Sequence, residues 1–488
     1  MPGAHVSMPC TAQVPNLTAR DQAQFIHDAI PPGLFRTDDD SERIPWRVSP
    51  EPFALSHKTV ERIEQIGRDL LAFYRAFNNL YNRSARGTAP AFIAEYLDRG
   101  KPEHIIRLAR QNRFRSDIPG VIRPDLLLTD DGFIASELDS VPGGMGFVGA
   151  MSEAYCKAGI DSIGGVDGMP RGFGAMLSYA SRTPHPTVAI VVSDESGDYR
   201  TELRWLAEAM RRVGDVNAYV CAPQDVIFTE QALFLRHEDG REEKLDAIYR
   251  NFELFDLLNV PKQELMLYAA RHNRVLMVPP PKATLEEKLS FALFQHPALA
   301  SLWRTELGKD GAAIYERLSA LFPRTWVLDP RPLPPQAVIA GLEARGLPVS
   351  DWHALLELGK GERDYVVKPS GFSELAWGSR GVRIANDLTK EEWTATLEEA
   401  LRSFERTPYI LQRFHKSKRL RMPYLDRTGG DIKLFDGRAR LCPYYFVTSE
   451  TTVQLGGILA TVAPADKRLI HGMADAVMAP CFVKENGY

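Results

Sequence analysis

Residues 121–139 read VIRPDLLLTDDGFIASELD, and this stretch carries most of the fold prediction. The apolar runs at 126–128 and 133–135 have the length of short strands. The sequence DDG at 130–132 between them is typical of a hairpin turn. We therefore expect two antiparallel strands joined by a tight turn.

Charged side chains share one face of this predicted hairpin. Residues two apart in a strand point to the same side, so Glu137 and Asp139 lie together, and strand pairing can bring Asp125 beside them. Three carboxylates repel one another unless a cation lies among them, and oxygen ligands of this kind suit Mg²⁺ or Mn²⁺. Arg123 offers an alternative, because its guanidinium would neutralise the cluster or bind a substrate carboxylate. An exposed strand face with ordinary charges is the third possibility.

A glycine-rich segment follows the hairpin, and residues 144–149 (GMGFVG) match the dinucleotide-binding pattern GxGxxG. We expect a helix after it, from about Met151. The motif leaves open a Rossmann-type NAD-dependent dehydrogenase. A Rossmann strand, however, is buried on both faces and apolar throughout, whereas the strand here carries Glu137 and Asp139, and Pro142 intervenes before the glycines. A turn that allows close approach of the chain is the structural alternative.

A second stretch, residues 365–382, reads YVVKPSGFSELAWGSRGV. A buried strand that ends in Lys368 and opens into a loop places one ammonium group at the mouth of a cleft, where it can meet a phosphate. Backbone N–H groups of the loop, with glycines at 371, 378 and 381, can wrap a triphosphate. No Walker pattern GxxxxGK[ST] occurs. Glu374 in the loop could reach a metal that bridges the phosphates, and a hairpin with a solvent-reaching lysine is the alternative.

The rest of the chain predicts a multidomain α/β and α+β protein. Apolar residues recur at helical spacing over 57–112, which indicates a helical layer behind a polar N-terminal arm. Short apolar runs indicate a small α/β unit with a parallel sheet, at 187–193, 218–221, 247–249 and 275–278. We expect four segments: the arm and helical layer at 1–115, the metal-binding hairpin portion at 116–185, the small α/β domain at 186–282 and the nucleotide-binding region at 283–488.

The composition is that of an ordinary globular protein, with 488 residues, 44% hydrophobic and 25% charged. A net charge of −4 without a basic stripe argues against a nucleic-acid partner. The apolar runs are too short to span a bilayer and the N-terminus lacks a signal-peptide pattern, so we expect a cytoplasmic protein with no membrane partner. Five scattered cysteines without metal-ligand spacing predict reduced thiols rather than a disulfide framework or a structural zinc.

The order of these motifs resembles that of the circularly permuted ATP-grasp amide ligases, whose familiar members are the eukaryotic-type glutathione synthetases and the glutathionylspermidine synthetases. Four features carry the resemblance, in this order: Arg-x-Asp at 123–125, Glu-x-Asp at 137–139 with its Pro/Gly turn, Glu-Glu-Lys at 286–288 and VVKP at 366–369. In permuted members the metal-binding hairpin precedes the nucleotide lysines, as it does here. The resemblance spans about 121–471. It implies a circularly permuted ATP-grasp fold with a small parallel α/β substrate domain and an N-terminal helical layer.

The same resemblance implies an ATP- and Mg²⁺-dependent carboxylate–amine ligase, ADP-forming, that makes an amide through an acyl phosphate. Two Mg²⁺ ions, or Mn²⁺, would bind Asp125, Glu137, Asp139 and Glu374. The ATP contacts would be Lys288, Lys368, Ser370, Gly371, Gly378 and Gln412, the last on a strand at 409–414 similar to the family's hinge strand. Arg440 would steady the reacting phosphate or the tetrahedral intermediate, and Arg123 and Ser140 would face the substrate carboxylate. Arg250 could also bind substrate, with a structural salt bridge as the alternative.

Several positions depart from the family pattern. Asp139 stands where members commonly have Asn, and the loop lacks a GGG run. No upstream amidase section with a Cys/His pair is present, so only a ligase half is expected. The extra charge of Asp139 leaves open a non-catalytic nucleotide-binding protein. The partners expected are a small carboxylate and an amine of unidentified structure, and neither the oligomeric state nor a role for His471 follows from the sequence.

Overall fold

The computed structural model describes residues 17–34, 46–139, 141–376, 378, 380–426, 428–467, 470 and 475–488. Ser140 and His471, which were singled out above, lie outside these residues. Within them the helices are α1 (Ala19–Ala29), α2 (His57–Ala85), α3 (Ala91–Asp98), α4 (Glu103–Ala109), α5 (Met145–Lys157), α6 (Gly168–Ser181), α7 (Arg200–Val213), α8 (Gln263–Arg271), α9 (Leu289–Gln295), α10 (Ala300–Glu306), α11 (Gly311–Leu321) and α12 (Lys390–Arg402).

The strands of the described residues are β1 (Phe53–Leu55), β2 (Val121–Thr129), β3 (Gly132–Asp139), β4 (Thr187–Val192), β5 (Asn217–Cys221), β6 (Val226–Phe228), β7 (Leu233–Arg236), β8 (Glu242–Lys244), β9 (Ala247–Asn251), β10 (Leu276–Val278), β11 (Thr325–Val327), β12 (Glu343–Ala344), β13 (Leu347–Pro348), β14 (Tyr365–Pro369), β15 (Arg383–Ile384), β16 (Tyr409–Arg413), β17 (Arg419–Leu425), β18 (Ile432–Val447), β19 (Val453–Pro464) and β20 (Val477–Val483).

The predicted hairpin is part of a seven-stranded sheet with the order β1-β20-β19-β18-β2-β3, in which β17 also pairs with β18. β2 and β3 are antiparallel, with Arg123 opposite Asp139, which confirms the hairpin. On the other side of β2 lies β18, where Arg440 is opposite Leu127. The sheet therefore joins the hairpin at 121–139 to C-terminal strands that are three hundred residues away along the chain.

A second sheet contains the four strands that were expected to be parallel, in the order β10-β9-β4-β5. All three pairings are parallel, which confirms the prediction. Helix α7 packs against β5 and buries Leu203, Leu206 and Met210. One end of this unit faces the hairpin, because Glu202 of α7 reaches the turn that follows β3.

A third sheet, β11-β16-β14-β15, is antiparallel and carries the predicted lysine strand. All five residues of β14 are buried. Lys368 lies opposite Ile410, and Val366 lies opposite Gln412. Because opposed residues share a face and so do residues two apart, Lys368 and Gln412 project from the same face of the sheet.

The predicted helical layer is confirmed by α2, α3 and α4. Ser56 caps the N-terminus of helix α2, because its Oγ accepts a hydrogen bond of 3.3 Å from the Thr59 amide. Its buried Phe73 lies 5.5 Å, between ring centroids, from Trp303 of α10. Burial of one such side chain contributes roughly 2–3 kcal/mol, so this aromatic contact holds α2 against the helices that follow α9.

Two local predictions are corrected. The helix expected from about Met151 begins at Met145, because Gly144, with φ +91°, ends the turn there.

Cys156 forms a disulfide bond, so the expectation of reduced thiols is wrong for this residue, since separation in sequence does not limit separation in the fold. The other described cysteines are free and buried: Cys221, Cys442 and Cys481. None of the described helices is long and apolar enough to cross a membrane.

Candidate functional site

The carboxylates of the hairpin come together as predicted, but each is paired with a cationic side chain. Arg123 Nη2 lies 2.9 Å from Asp139 Oδ2 and 3.2 Å from Asp125 Oδ1. Arg440 Nη1 lies 2.7 Å from the other oxygen of Asp125, and Lys288 Nζ lies 2.9 Å from Glu137 Oε1. The arginine interpretation of the hairpin is therefore the one that the structure supports.

Burial and these cations set the protonation of the hairpin carboxylates. Burial raises the pKa of Asp125, but Arg440 and Arg123 outweigh it and the net pKa lies below the ordinary value. Burial also raises the pKa of Glu137, but Lys288 and Lys368 lower it by more, so the net pKa lies below the ordinary value. The pKa of Asp139 is raised, because burial outweighs its contact with Arg123 and Glu137 lies nearby. Asp125 and Glu137 are thus held as anions.

The four predicted metal ligands do not form one group. Glu374 is exposed and lines a separate small cavity with Glu195 and Asp256. In the described part of the chain no three acidic, histidine or cysteine side chains are arranged to hold a metal ion. The reason is geometric: guanidinium and ammonium groups already lie between the hairpin carboxylates. The arrangement does not fit the predicted metal centre, and a divalent ion would have to displace Arg123 or Lys288.

Two cavities meet at the hairpin. The first, which we call the hairpin cavity, has a volume of about 340 Å³ and is lined by Asp139, Tyr444 and Gly371, among others. The second, the lysine cavity, measures about 290 Å³ and contains Lys368 and Gln412. Both are lined by the same three residues, which therefore form a shared wall: Asp125, Glu137 and Arg440.

The lysine cavity is strongly cationic. Its lining has six cations, Lys368, Arg413, Lys416, Arg419, Arg438 and Arg440, against three carboxylates, Asp125, Glu137 and Asp466. Lys368 Nζ donates hydrogen bonds of 2.9 Å to the Ser136 carbonyl and to Gln412 Oε1. Burial lowers the pKa of Lys368 to about 8, against the attraction of Glu137. The glutamine therefore fixes the ammonium group, in a cavity suited to an anion.

In the sequence Glu286-Glu287-Lys288, each side chain contacts a different part of the molecule. Glu286 pairs with Arg250, Lys288 pairs with Glu137, and Glu287 forms a fully buried ion pair with Lys101. Lys288 lies at the N-terminus of α9, as predicted.

Ser370 belongs to the same network as Glu287. Its hydroxyl lies 2.5 Å from Glu287 Oε2 and accepts a hydrogen bond of 2.7 Å from the Leu289 amide. This tie fixes the end of β14 against the start of α9. Ser370 thus supports the two lysines and does not line either cavity.

Arg250 forms a structural salt bridge, which was the alternative to a role in substrate binding. Only 1% of the residue is exposed, and its guanidinium donates to the carbonyls of Pro279, Pro280 and Phe252 as well as to Glu286. It does not line either cavity, so the substrate-contact interpretation is corrected: each of its three guanidinium nitrogens donates to the protein itself.

The loop after Lys368 covers the hairpin cavity. Gly371, with φ +100°, and Gly378 line the cavity, and Lys288 Nζ donates a hydrogen bond of 3.0 Å to the Ala376 carbonyl. Beyond it, Arg380 lies 2.9 Å from Glu195 of the parallel-sheet unit. The loop is therefore held from both sides.

The glycine motif is not a dinucleotide site. It follows an antiparallel strand rather than a parallel one, and the carboxylate of Glu202 accepts hydrogen bonds from the amides of Gly144 and Phe147. The position that a pyrophosphate would take at the start of α5 is filled by the protein's own anion. The glycine motif therefore gives no support to the dehydrogenase alternative.

Several lining residues were not predicted. Cys442 and Tyr444 follow Arg440 at intervals of two on β18, so strand periodicity would have placed them on the same face. Glu253 and Glu286 also line the hairpin cavity. No local pattern distinguishes Glu253, because it enters the site only through the packing of the parallel sheet.

Comparison with known proteins bears on the fold. No family model matches the chain, and no curated protein matches it either. Among solved structures, it is similar to a glutathione synthetase-like effector from Globodera pallida in its apo form, with a TM-score of 0.58, 12% identity, and coverage of 97% of this chain and 100% of that one. The chain has a glutathione synthetase-like fold. A crystal structure of a putative gamma-glutamylcysteine synthetase from Methylobacillus flagellatus KT also matches, with a TM-score of 0.40, 13% identity, and coverage of 80% and 87%.

Proposed function

We propose that this protein is an ATP-dependent carboxylate–amine ligase of the ATP-grasp type that forms ADP. The observation that carries the proposal is the shared wall: Asp125, Glu137 and Arg440 line both the lysine cavity and the hairpin cavity. A group bound in one cavity is then separated from a group in the other only by polar side chains. Transfer of a phosphoryl group needs the two reacting atoms about 3–3.5 Å apart, so both reactants would bind at the edge of this wall, where the two cavities meet.

The nucleotide would bind in the lysine cavity. Its excess of cations suits a triphosphate, and Lys368 supplies a point charge within it. Lys288, Gly371 and Gly378 line the hairpin cavity, so they would meet only those phosphate oxygens that reach past the shared wall. Because Gln412 accepts a hydrogen bond from Lys368, it would orient the lysine rather than contact the base.

The acid would bind across the wall, with its carboxylate near Arg123 and Arg440. A carboxylate oxygen attacks the γ-phosphorus, the bond to the bridging oxygen of ADP breaks, and an acyl phosphate results. The amine nitrogen then attacks the acyl carbon, the carbon–oxygen bond breaks, and inorganic phosphate and a proton leave. The guanidinium groups would stabilise the negative charge that develops on oxygen in both steps. Asp139, with its raised pKa, is suited to take the proton.

The amine would bind at the acidic end of the hairpin cavity. Burial and the neighbouring Glu286 raise the pKa of Glu253 well above its ordinary value, and the two side chains are hydrogen-bonded to each other. An ammonium group between them would relieve this repulsion. Phe255 and Phe372 line the same cavity and would cover the aliphatic part of such an amine.

The proposal is tested by mixing the protein with ATP, a divalent ion and pools of amino acids, polyamines and small thiols, and by measuring ADP and phosphate. We expect release only when both an acid and an amine are present. Lys368→Met should abolish it, whereas Lys418→Met, an exposed charge outside both cavities, should not. Release that needs neither substrate would indicate an ATPase instead.

A second candidate is a nucleotide-binding protein without turnover. It is favoured by the ion pairs that already neutralise Asp125, Glu137 and Asp139. Binding of ATP, without ADP formation in any pool, would support this candidate over the ligase.

A further inference from the structure

The glycine-rich turn after β3 is held by a carboxylate from another part of the chain. Glu202 of α7 is fully buried. Its Oε1 accepts a hydrogen bond of 2.6 Å from the Gly144 amide, and its Oε2 accepts one of 2.9 Å from the Phe147 amide. The Gly146 amide also bonds to this carboxylate. Three N–H groups that the start of a helix leaves without partners are thereby satisfied.

Close packing keeps α7 in place over this turn. A Cβ atom on Gly146 would lie 1.9 Å from the Glu202 carbonyl oxygen, and one on Gly149 would lie 2.4 Å from the Trp205 ring. Only glycine allows the two helices to approach so closely. Gly146 and Gly149 are three residues apart, as are Glu202 and Trp205, so the spacing of the motif matches that of the residues it meets on α7.

The same turn shapes the hairpin cavity. The carbonyl of Gly143 accepts a hydrogen bond of 2.8 Å from the Tyr444 hydroxyl, and Arg123 Nη1 lies 3.5 Å from it. A displacement of the turn would move this carbonyl and release both side chains. Arg123 is also the residue that pairs with Asp139.

We propose that Glu202 is a positioning residue for the hairpin cavity: its carboxylate fixes the turn from Gly143 to Phe147, and the turn fixes Tyr444 and Arg123. The role does not depend on the reaction that the cavity serves. It also gives a use to the glycine motif, which neither a dinucleotide nor the ligase chemistry requires.

The positioning should respond to pH. Burial raises the pKa of Glu202 to about 7, although the three amides and Arg123 lower it. The other titratable groups that face it are Tyr199 before α7, Tyr249 on β9 and Tyr444 on β18. A protonated carboxyl has one oxygen that donates, so it is a poorer partner for three N–H groups. The hydrogen bonds that hold the turn should therefore be stronger above neutral pH than below it.

Hydrogen exchange of the full chain, read by mass spectrometry and corrected for intrinsic rates, tests the proposal. We compare the wild type with Glu202→Gln, which keeps the shape and removes the charge, and with Glu208→Gln, an exposed position on the same helix. Loss of a charge-assisted hydrogen bond should raise exchange at 144–147 about tenfold in Glu202→Gln, and the control should match the wild type. Protection in the wild type should fall from pH 8 to pH 6, and in Glu202→Gln it should not change.

A crystal structure of Glu202→Gln supplies the readout at the cavity. We expect the 2.8 Å contact between Tyr444 and the Gly143 carbonyl to be lost in this variant and kept in the Glu208→Gln control. If protection at 144–147 and this contact are both unchanged, the proposal is wrong. If Glu202→Gln does not fold, Glu202→Asp, which keeps the charge and shortens the side chain, decides: protection at 144–147 equal to that of the wild type overturns the proposal.

Discussion

Replacement of Lys368 by methionine should separate stability from nucleotide binding. Lys368 is 7% exposed, and burial lowers its pKa from 10.5 to about 8. At about 1.4 kcal/mol per pH unit, this difference corresponds to roughly 3 kcal/mol that the folded protein loses by keeping the ammonium charged at pH 7. Methionine removes this cost but leaves the Ser136 carbonyl and Gln412 Oε1 without their donor, at about 1–3 kcal/mol each. Two unpaired acceptors cost about 2–6 kcal/mol against the roughly 3 kcal/mol regained, so the free energy of unfolding at pH 7 should change by no more than about 3 kcal/mol.

The lowered pKa of Lys368 also predicts how the stability difference between the wild type and the variant changes with pH. Between pH 8 and pH 10.5 the unfolded chain binds more protons at this lysine than the folded protein does, so wild-type stability should rise relative to that of Lys368→Met across this window. Urea unfolding at pH 7 and pH 10 measures this difference, and calorimetric titration with ATP at pH 7 measures binding. Lys418→Met, an exposed position, serves as the control. A variant that binds ATP as the wild type does, or a difference in stability that does not grow with pH, would refute the reasoning.

Three further predictions use the ion pairs around the site. Glu287→Gln leaves Lys101 buried without its partner and should cost about 3–5 kcal/mol in urea unfolding. Adding Lys101→Met should recover most of the loss, and a double-mutant cycle without coupling would contradict the pairing. Arg440→Met should destabilise the protein at pH 7; because the pKa of Asp125 is lowered in the folded state, the difference should shrink as the pH falls below about 4, and a constant difference would argue against the pair. Since cationic side chains already lie between the hairpin carboxylates, a chelator should weaken ATP binding less than Lys368→Met does, and the opposite order in calorimetry would favour a metal centre.

The parts of the fold that could be predicted depend on local periodicity. Alternation along residues 121–139 placed Asp125, Glu137 and Asp139 on one face, and the register of β2 and β3 confirms it. The four short apolar runs of the parallel sheet were likewise recognisable, because a parallel strand is buried on both faces.

The parts that could not be predicted depend on contacts between distant segments. Arg440 reaches Asp125 across 315 positions of the chain, and no local pattern specifies such a pair. The path of the loop after Lys368 carries Glu374 away from the hairpin, and sequence alone does not fix that path. Arg250 is similar, because its partners come from a segment thirty residues later in the chain.

The acyl phosphate is the central claim, and the fate of the acid's oxygen tests it most directly. The protein is mixed with ATP, a pool of amines and a pool of acids whose carboxylate oxygens carry a heavy isotope label. The mass of the released phosphate is then measured by mass spectrometry. Attack of the carboxylate on the γ-phosphorus, followed by loss of phosphate to the amine, predicts that each phosphate carries one labelled oxygen. Phosphate that is released without the label would contradict the claim.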